Sequence, residues 1–127
     1  MFKLVLIFAG AGIGGLCRYG VGGIVQSAGT ASFPLGTLAV NVLGCLAIGF
    51  LAALFAGPVL VREEYRLAII VGVLGGFTTF SSFGLETMAL IEDREWRFVA
   101  LNLVLSNGLG LLAVLVGSRV SEKLFGV

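Results

Sequence analysis

The stretch Gly72–Glu86 combines the features of an ion-binding site within a run of apolar residues. Its centre, Gly75-Gly-Phe-Thr-Thr79, has two adjacent glycines and two β-branched residues, which disfavour a helix. Thr79, Ser82 and Glu86 lie on one neighbouring helical face. A helix that is interrupted at membrane depth persists only where protein, water or an ion satisfies the backbone groups that it frees. The residue types therefore indicate a binding site.

Aromatic rings in the same stretch favour an anion. Phe77, Phe80 and Phe83 recur at every third position. An aromatic ring has a positive edge, so the rings of Phe80 and Phe83 could contact an anion in a dry, narrow place. The alternative is that these phenylalanine side chains only pack in the core or contact lipid. Hydroxyl groups would add hydrogen-bond donors along the way, at Thr37, Ser81, Ser82 and Ser106.

The interruption also offers a site for a cation. Carbonyl groups at the end of an unwound helix lack their helical partners and carry partial negative charge, and such groups bind sodium in membrane transporters. A buried cation beside an anion path would offset the cost of removing water from that anion. The alternative is a simple kink in which threonine hydroxyls bond the freed backbone groups.

Other polar residues in apolar segments also need partners. Asn41 either makes an interhelical hydrogen bond or offers its amide donors to an anion. Arg18 either extends to the lipid headgroups or pairs with a carbonyl near the end of its helix, or it attracts anions into a vestibule. Glu86 either reaches the membrane interface or lines the path. Asn102 and Ser106 lie one helical turn apart on the last apolar segment.

Four apolar segments must position these residues, approximately 4–26, 35–56, 67–91 and 98–120. Each is long enough to cross a hydrocarbon core of about 30 Å as a helix. Of the fifteen charged residues, all but Arg18 and Glu86 lie between these segments or near the chain ends. The sequence therefore predicts a single-domain, all-α membrane protein with four spans, the third of them broken at mid-membrane.

Composition supports this class and excludes others. The 127 residues are 58% hydrophobic and 12% charged, which is more apolar surface than a small soluble domain can bury. A net charge of +1 without basic runs argues against nucleic acid as a partner. No histidine is present, so zinc, haem and histidine-based catalysis lack their usual residue, and an enzyme is not expected. Cys17 and Cys45 each lie alone in an apolar run, which is typical of packing residues.

The charge bias between the two sides of the predicted bundle is weak. The bias favours an orientation in which the side that carries both termini is cytoplasmic. A small protein with such a weak bias can insert in both orientations, which would permit an antiparallel dimer. The N-terminal apolar run is longer than the hydrophobic region of a signal peptide, so cleavage is not expected.

Three motifs together resemble the Fluc (CrcB-type) fluoride channels over essentially the whole chain. They are Gly75-Gly-Phe-Thr-Thr-Phe-Ser-Ser-Phe83 with Glu86, Gly36-Thr-Leu-Ala-Val-Asn41-Val-Leu-Gly44, and Gly14-Gly-Leu-Cys-Arg18-Tyr19. The first motif is highly specific. Its one departure is Ser82, where the family more often has threonine, and this change keeps the hydroxyl group.

The resemblance implies a passive, highly selective channel that exports cytoplasmic fluoride and so relieves fluoride toxicity. It implies an antiparallel, dual-topology homodimer with two pathways in the cytoplasmic membrane of a bacterium. A structural sodium ion would lie on the two-fold axis, held by the backbone carbonyls of Gly75 and Thr78. The fluoride pathway would have Arg18 at its vestibule and would comprise Asn41, Phe80, Phe83, Ser81, Ser82, Thr37, Glu86, Ser106 and, less closely matched, Asn102.

Two other functions are alternatives. Small proton-coupled multidrug exporters are also four-span dimers, but their working carboxylate lies in the first span, where this chain has Arg18. Here the carboxylate within a span is Glu86, in the third. A non-transporting membrane assembly subunit would leave the glycine-rich interruption and the polar helix faces without a role. A pH-dependent flux of organic cations would favour the exporter, and an absence of ion flux would favour the subunit.

Overall fold

The computed structural model describes residues 1–29, 32–57 and 59–126, and these residues form an all-α protein. The elements are α1 (Phe2–Ala28), α2 (Leu35–Ala56), α3 (Glu63–Leu67), a π-helical segment (Ala68–Leu74), α4 (Gly75–Phe77), α5 (Phe80–Glu92) and α6 (Trp96–Phe125). Among the described residues, four helical runs are long and apolar enough to cross a membrane: Phe2–Ala28, Leu35–Ala56, Glu63–Glu92 and Trp96–Phe125. The prediction of an all-α fold with four such helices is confirmed.

Small residues bring the helices close together. The most extensive contact is that of α2 with α6, and α1 packs along the π-helical segment and α4. A Cβ atom at Gly117 in α6 would collide with the carbonyl group of Leu46 in α2. A Cβ atom at Gly14 in α1 would collide with the carbonyl of Val73 and would lie 2.8 Å from the amide nitrogen of Phe77. Glycine is therefore required where these backbones meet.

Large apolar side chains cover much of the outside of the bundle, while others, such as Phe33, Leu74 and Phe83, form its core. Among the described residues, Val40, Asn102 and Ser121 are the largest side chains that are fully buried. Highly exposed apolar residues occur on three helices, among them Phe8, Leu16, Tyr19, Phe80, Leu85, Leu111 and Leu115. Hydrocarbon is a favourable solvent for such a surface, whereas water is not.

The third helical run changes its backbone conformation twice. After the π-helical segment, Gly75 and Gly76 stay helical in α4, although glycine disfavours a helix. At Gly76 the backbone lies so close to Ala11 in α1 that a Cβ would not fit. The backbone becomes extended at Thr78 (φ −82°, ψ 158°) and Thr79 (φ −151°, ψ 112°), and α5 begins at Phe80. β-Branched residues adopt this conformation readily.

A tight turn joins α5 to α6. Arg94 has a φ of 59°, in the left-handed region. The Glu95 amide donates to the Leu90 carbonyl at 2.9 Å, and the Arg94 amide donates to the Ile91 carbonyl at 3.0 Å. This pattern closes the end of α5 as a left-handed C-cap does, and it fixes where α6 starts.

Candidate functional site

The extended residue Thr79 is bonded to the side chain of Asn41 through both of its backbone polar groups. Asn41 Nδ2 donates to the Thr79 carbonyl at 2.9 Å, and the Thr79 amide donates to Asn41 Oδ1 at 2.8 Å. The amide of Asn41 thus joins α2 to the segment between α4 and α5. An asparagine amide nitrogen carries two N–H groups, so one of them is not needed for this link.

Thr79 also begins α5 as its N-cap. Its Oγ1 atom accepts from the Ser82 amide at 3.1 Å, donates to Ser82 Oγ at 2.9 Å and lies 3.3 Å from Ser81 Oγ. Thr79 is only 7% exposed. Such capping satisfies a backbone donor that the first turn of a helix leaves free. The start of α5 is therefore held through both the side chain and the backbone of one residue.

Arg18 reaches the same interruption from α1. Its Nη1 atom donates to the Thr78 carbonyl at 3.2 Å, and the Thr78 hydroxyl donates to the Leu74 carbonyl at 3.0 Å. The arginine is half-buried. Its guanidinium thus has a backbone partner within the bundle, and a threonine hydroxyl bonds another carbonyl near the interruption.

A hydroxyl–carboxylate pair connects α2 with α5 further along. Thr37 Oγ1 donates to Glu86 Oε1 at 2.6 Å. The second oxygen, Oε2, is buried and has no hydrogen-bond partner among the described residues. Because Thr37 gives its proton to Glu86, it presents only acceptor lone pairs to its surroundings in this arrangement.

Two cavities lie on either side of Thr79. We call the first the Arg18 cleft. It has a volume of about 780 Å³, and its polar lining includes Arg18, Gln26, Thr37, Thr79, Ser82 and Glu86. The second, the Phe80 pocket, has a volume of about 340 Å³ and is lined in part by Asn41, Gly75, Thr78, Thr79, Phe80, Phe83 and Ser106. Thr79 lines both, so most of the residues singled out from the sequence form two groups that meet at the N-cap of α5.

Phe80 and Phe83 form a tilted pair at the Phe80 pocket. Their ring centroids are 5.3 Å apart, and the ring planes are inclined by 45°. Phe80 is 79% exposed, whereas Phe83 is 8% exposed. One ring therefore stands on the outside of the described chain, and the other is part of its core.

Comparisons with known proteins identify the family. The family model described as CrcB-like protein, Camphor Resistance (CrcB), matches residues 5–118. The chain belongs to the CrcB family. A relative from Desulforapulum autotrophicum is 44% identical over 115 residues, covering 91% of this chain and 92% of the relative. Relatives from Paramagnetospirillum magneticum (44%, 92% and 93% covered) and Rhizobium leguminosarum (43%, 98% and 99% covered) match similarly. All three are named fluoride-specific ion channel FluC.

This membership confirms the family that the three motifs indicated, and with the four apolar helices it makes the chain a multi-pass membrane protein. The structure does not bring all the predicted pathway residues to a cavity. Ser81 is exposed and lines neither cavity. Asn102 is 1% exposed and also lines neither. Its Nδ2 atom donates to Thr87 Oγ1 at 2.9 Å, and its Oδ1 accepts from Ser106 Oγ at 3.2 Å.

Two residues of this CrcB family member were missed by sequence reasoning. The Thr87 hydroxyl donates to the Phe83 carbonyl at 2.6 Å. The sequence feature that could have indicated this bond is a hydroxyl residue four positions after Phe83. Gln26 Nε2 donates to the Phe33 carbonyl at 3.0 Å, and Gln26 Oε1 accepts from the Gly36 amide at 3.0 Å. Its signal is an amide near the end of an apolar segment, close to the start of the next. Gln26 ties the end of α1 to the start of α2 at the edge of the Arg18 cleft.

The chemistry available for a metal ion in this CrcB family member is that of backbone oxygen atoms. Within the described residues, no group of three or more His, Cys, Asp or Glu side chains is placed to hold a metal. In a continuous helix the Gly75 carbonyl would accept from the Thr79 amide, but that amide donates to Asn41 instead. The Thr78 carbonyl belongs to extended backbone. Two carbonyl oxygens near the interruption are thus outside the regular helical pattern.

Proposed function

We propose that this protein is a passive, fluoride-selective channel that releases cytoplasmic fluoride and so relieves its toxicity. Its relatives are named fluoride-specific ion channels and match it over nearly their whole length. The observation that carries the proposal is the grouping of the polar and aromatic residues into two cavities that share Thr79. A cleft that contains an arginine and adjoins an aromatic pocket suits a small anion that must exchange its water for protein donors.

The Arg18 cleft is the proposed vestibule. Its guanidinium attracts anions, and the low-dielectric walls of a cleft strengthen that attraction. Glu86, which accepts from Thr37, lines the same cleft with Asp93 and Glu95, and the negative charges of these three residues oppose anions. In this proposal the ion therefore passes on the side of Arg18 and Ser82, where donors are available, and approaches Thr79.

The Phe80 pocket is the proposed narrow part of the pathway. Phe80 and Phe83 would contact fluoride with the positive edges of their rings. The N–H of Asn41 that is not bonded to Thr79 would add a donor. Ser106 donates to Asn102 in this structure, so its hydroxyl must rotate before it donates to an ion. Replacing the water of a strongly hydrated anion by such groups is what makes the pathway selective.

A structural sodium ion is part of the proposal, held by the carbonyl oxygens of Gly75 and Thr78. Hard oxygen ligands suit such a cation, and both carbonyls lie outside the regular helical pattern. When bound, sodium would supply a positive charge that lowers the cost of desolvating the nearby anion. The Arg18 guanidinium bonds the Thr78 carbonyl, so sodium would either share that oxygen with Arg18 or displace it.

The proposed assembly is an antiparallel homodimer in the bacterial cytoplasmic membrane, with the third span of each copy broken at mid-membrane. The extended backbone of Thr78 and Thr79 supports the break. The high exposure of Phe80 supports a second copy, because that copy would complete the wall of the Phe80 pocket. The weak charge bias between the two sides supports insertion in both orientations.

Ion efflux from liposomes tests the function. Purified protein is reconstituted with potassium fluoride or potassium chloride inside, and valinomycin balances the charge. We expect rapid fluoride release, no chloride release and no release from protein-free liposomes. If well-folded protein releases neither ion, the channel proposal fails, and pH-dependent transport of organic cations becomes the next measurement.

Labelling of single cysteines tests the dual topology. In a chain carrying Cys17→Ser and Cys45→Ala, one cysteine replaces Leu60 between α2 and α3, or Glu95 between α5 and α6. A membrane-impermeant maleimide should label about half of the copies at each position in intact cells, because weak charge bias permits both orientations. Labelling at one position and not at the other would contradict an antiparallel dimer.

A further inference from the structure

We propose that Thr87 and Asn102 are positioning residues that hold α5 at one rotation against α6 and thereby orient Phe83 in the Phe80 pocket. Neither residue lines the pocket. The effect on ion flux rests on the proposed channel function, whereas the effect on the orientation of the ring does not.

A chain of hydrogen bonds connects the two helices. Thr87 Oγ1 donates to the Phe83 carbonyl at 2.6 Å, and Asn102 Nδ2 donates to Thr87 Oγ1 at 2.9 Å. Asn102 Oδ1 in turn accepts from Ser106 Oγ at 3.2 Å. The chain starts at the backbone of Phe83 and ends at Ser106, and both of these residues line the Phe80 pocket.

Burial makes this arrangement specific. Asn102 is 1% exposed and is among the most deeply buried side chains of the protein. A buried amide that loses a partner retains the cost of its desolvation. The Thr87 hydroxyl both donates and accepts, so a rotation of α5 that moved Thr87 away would leave Asn102 without its partner. The hydrogen bonds therefore favour one rotation of α5 about its axis over other nearby rotations.

Apolar packing constrains α5 weakly. Its main neighbour is α6, and it makes few contacts with α2. Phe80 and Leu85 point outwards and are largely exposed, and nothing lies within 4 Å of a Cβ built at Gly84. Polar links therefore carry much of the orientation of α5.

The links to α2 hold α5 on one side, through Thr79 with Asn41 and through Glu86 with Thr37. The link from Thr87 to Asn102 holds it from α6. If the bond from Thr87 to Asn102 is removed, the two links to α2 remain. The helix α5 can then rotate about those two links. The Phe83 ring would move with it, because Phe83 lies in α5 one turn before Thr87.

Variants at these two positions separate positioning from stability. Thr87→Val removes the hydroxyl at nearly constant volume, and Thr87→Ser keeps it. Asn102→Leu removes the amide, and the double variant removes both partners of the Thr87–Asn102 bond. The Ser106 hydroxyl, which loses its acceptor, can bond the backbone carbonyl four residues earlier in α6. Ser118→Ala is the matched control, because the Ser118 hydroxyl bonds Glu122 within α6 itself. Readouts are thermal unfolding, fluoride efflux per folded protein, and the ¹⁹F resonance of 4-fluorophenylalanine at position 83.

We expect Thr87→Val to shift or broaden the ¹⁹F resonance and to lower efflux by about tenfold, the population change that corresponds to losing one buried hydrogen bond. Thr87→Ser and Ser118→Ala should behave as the parent chain. The double variant should recover thermal stability, while its efflux stays low and its resonance stays shifted. Thr87→Val alone decides the outcome if Asn102→Leu does not fold.

Two results would overturn the proposal. One is an unchanged resonance and efflux in Thr87→Val. The other is a recovery of efflux together with stability in the double variant, which would make the pair purely structural. If the parent chain releases no fluoride, the channel function fails, and the ¹⁹F resonance still decides whether Thr87 and Asn102 orient Phe83.

Discussion

Asn41 takes the place of the helical acceptor of the Thr79 amide and adds a second donor to the Thr79 carbonyl, which as the N-cap carbonyl already accepts the first bond of α5. The Thr79 amide donates to Asn41 Oδ1 at 2.8 Å, and the Thr79 carbonyl accepts from Asn41 Nδ2 at 2.9 Å. One side chain on α2 thus satisfies a residue that has left the helix, which hydrocarbon cannot do. The same contact places Asn41 beside Phe80 and Phe83 at the pocket, so a position required for stability is also adjacent to the proposed pathway.

Asn41→Asp should destabilise the protein and reduce fluoride efflux. The carboxylate can still accept from the Thr79 amide, but it cannot donate to the Thr79 carbonyl. Losing that donor should cost about 0.5–1.5 kcal/mol of unfolding free energy, because the carbonyl keeps its bond within α5. Asn107→Asp is the control for the unfolding free energy only, because Asn107 is exposed and bonds Leu103 in its own helix but also lines the Phe80 pocket. Equal unfolding free energies for the parent and Asn41→Asp would show that the link contributes nothing.

Phe80→Ile should reduce efflux and leave the fold intact. Phe80 is largely exposed within one copy, so its replacement should lower the unfolding free energy of the detergent-solubilised protein by less than replacement of the buried Phe83 does. The buried Phe83 is the comparison, and Phe83→Ile should cost about 1–3 kcal/mol. Efflux and unfolding are measured on the same preparations. Undiminished efflux in Phe80→Ile would count against an aromatic anion site.

Gly14→Ala should destabilise the protein strongly. The added methyl group would meet the backbone of Val73 and Phe77, and such overpacking costs about 1–3 kcal/mol. Gly12→Ala, on the same helix, has nothing within 4 Å of its new methyl group, and helix propensity favours alanine there by about 0.5–1 kcal/mol. Thermal unfolding compares the two. A similar effect of both variants would exclude close backbone packing as the cause.

Arg94→Gly should stabilise the turn between α5 and α6. Arg94 has a φ of 59°, a conformation that costs a residue with a Cβ about 1–2 kcal/mol. Glycine avoids that cost but loses more chain entropy on folding, so a net gain of about 0.5 kcal/mol is expected. Arg97→Gly, in the first turn of α6, should lower stability instead. A loss of stability in Arg94→Gly would show that the arginine side chain itself stabilises the turn.

Local patterns in the sequence were sufficient to predict where the four apolar helices lie. Lipid satisfies no backbone group, so an apolar run of about twenty residues has helix as its stable form in a membrane. The segment 35–56 was assigned from this rule, and α2 spans Leu35–Ala56. The π-helical turn at Ala68–Leu74 was not foreseen, because nothing in the local composition distinguishes it from an α-helix.

The interrupted region shows where local propensity stops being sufficient. Gly75 and Gly76 are poor helix formers, yet they are helical, whereas Thr78 and Thr79 are extended. Close packing of Gly76 on Ala11 and the bonds from Asn41 to Thr79 determine this outcome. Both depend on segments that lie far away in the chain.

Local sequence patterns were enough to assign the class of the protein, the positions of its four apolar helices and, through the motif from Gly75 to Phe83, its family. Hydropathy and motif content are local properties, and the surrounding hydrocarbon acts on each segment separately. Which polar groups meet follows from the packing of the helices: Thr37 with Glu86, Arg18 with Thr78 and Asn102 with Thr87. These pairings depend on how each helix is rotated and how closely glycine lets its backbone approach, and neither quantity can be computed from one segment alone.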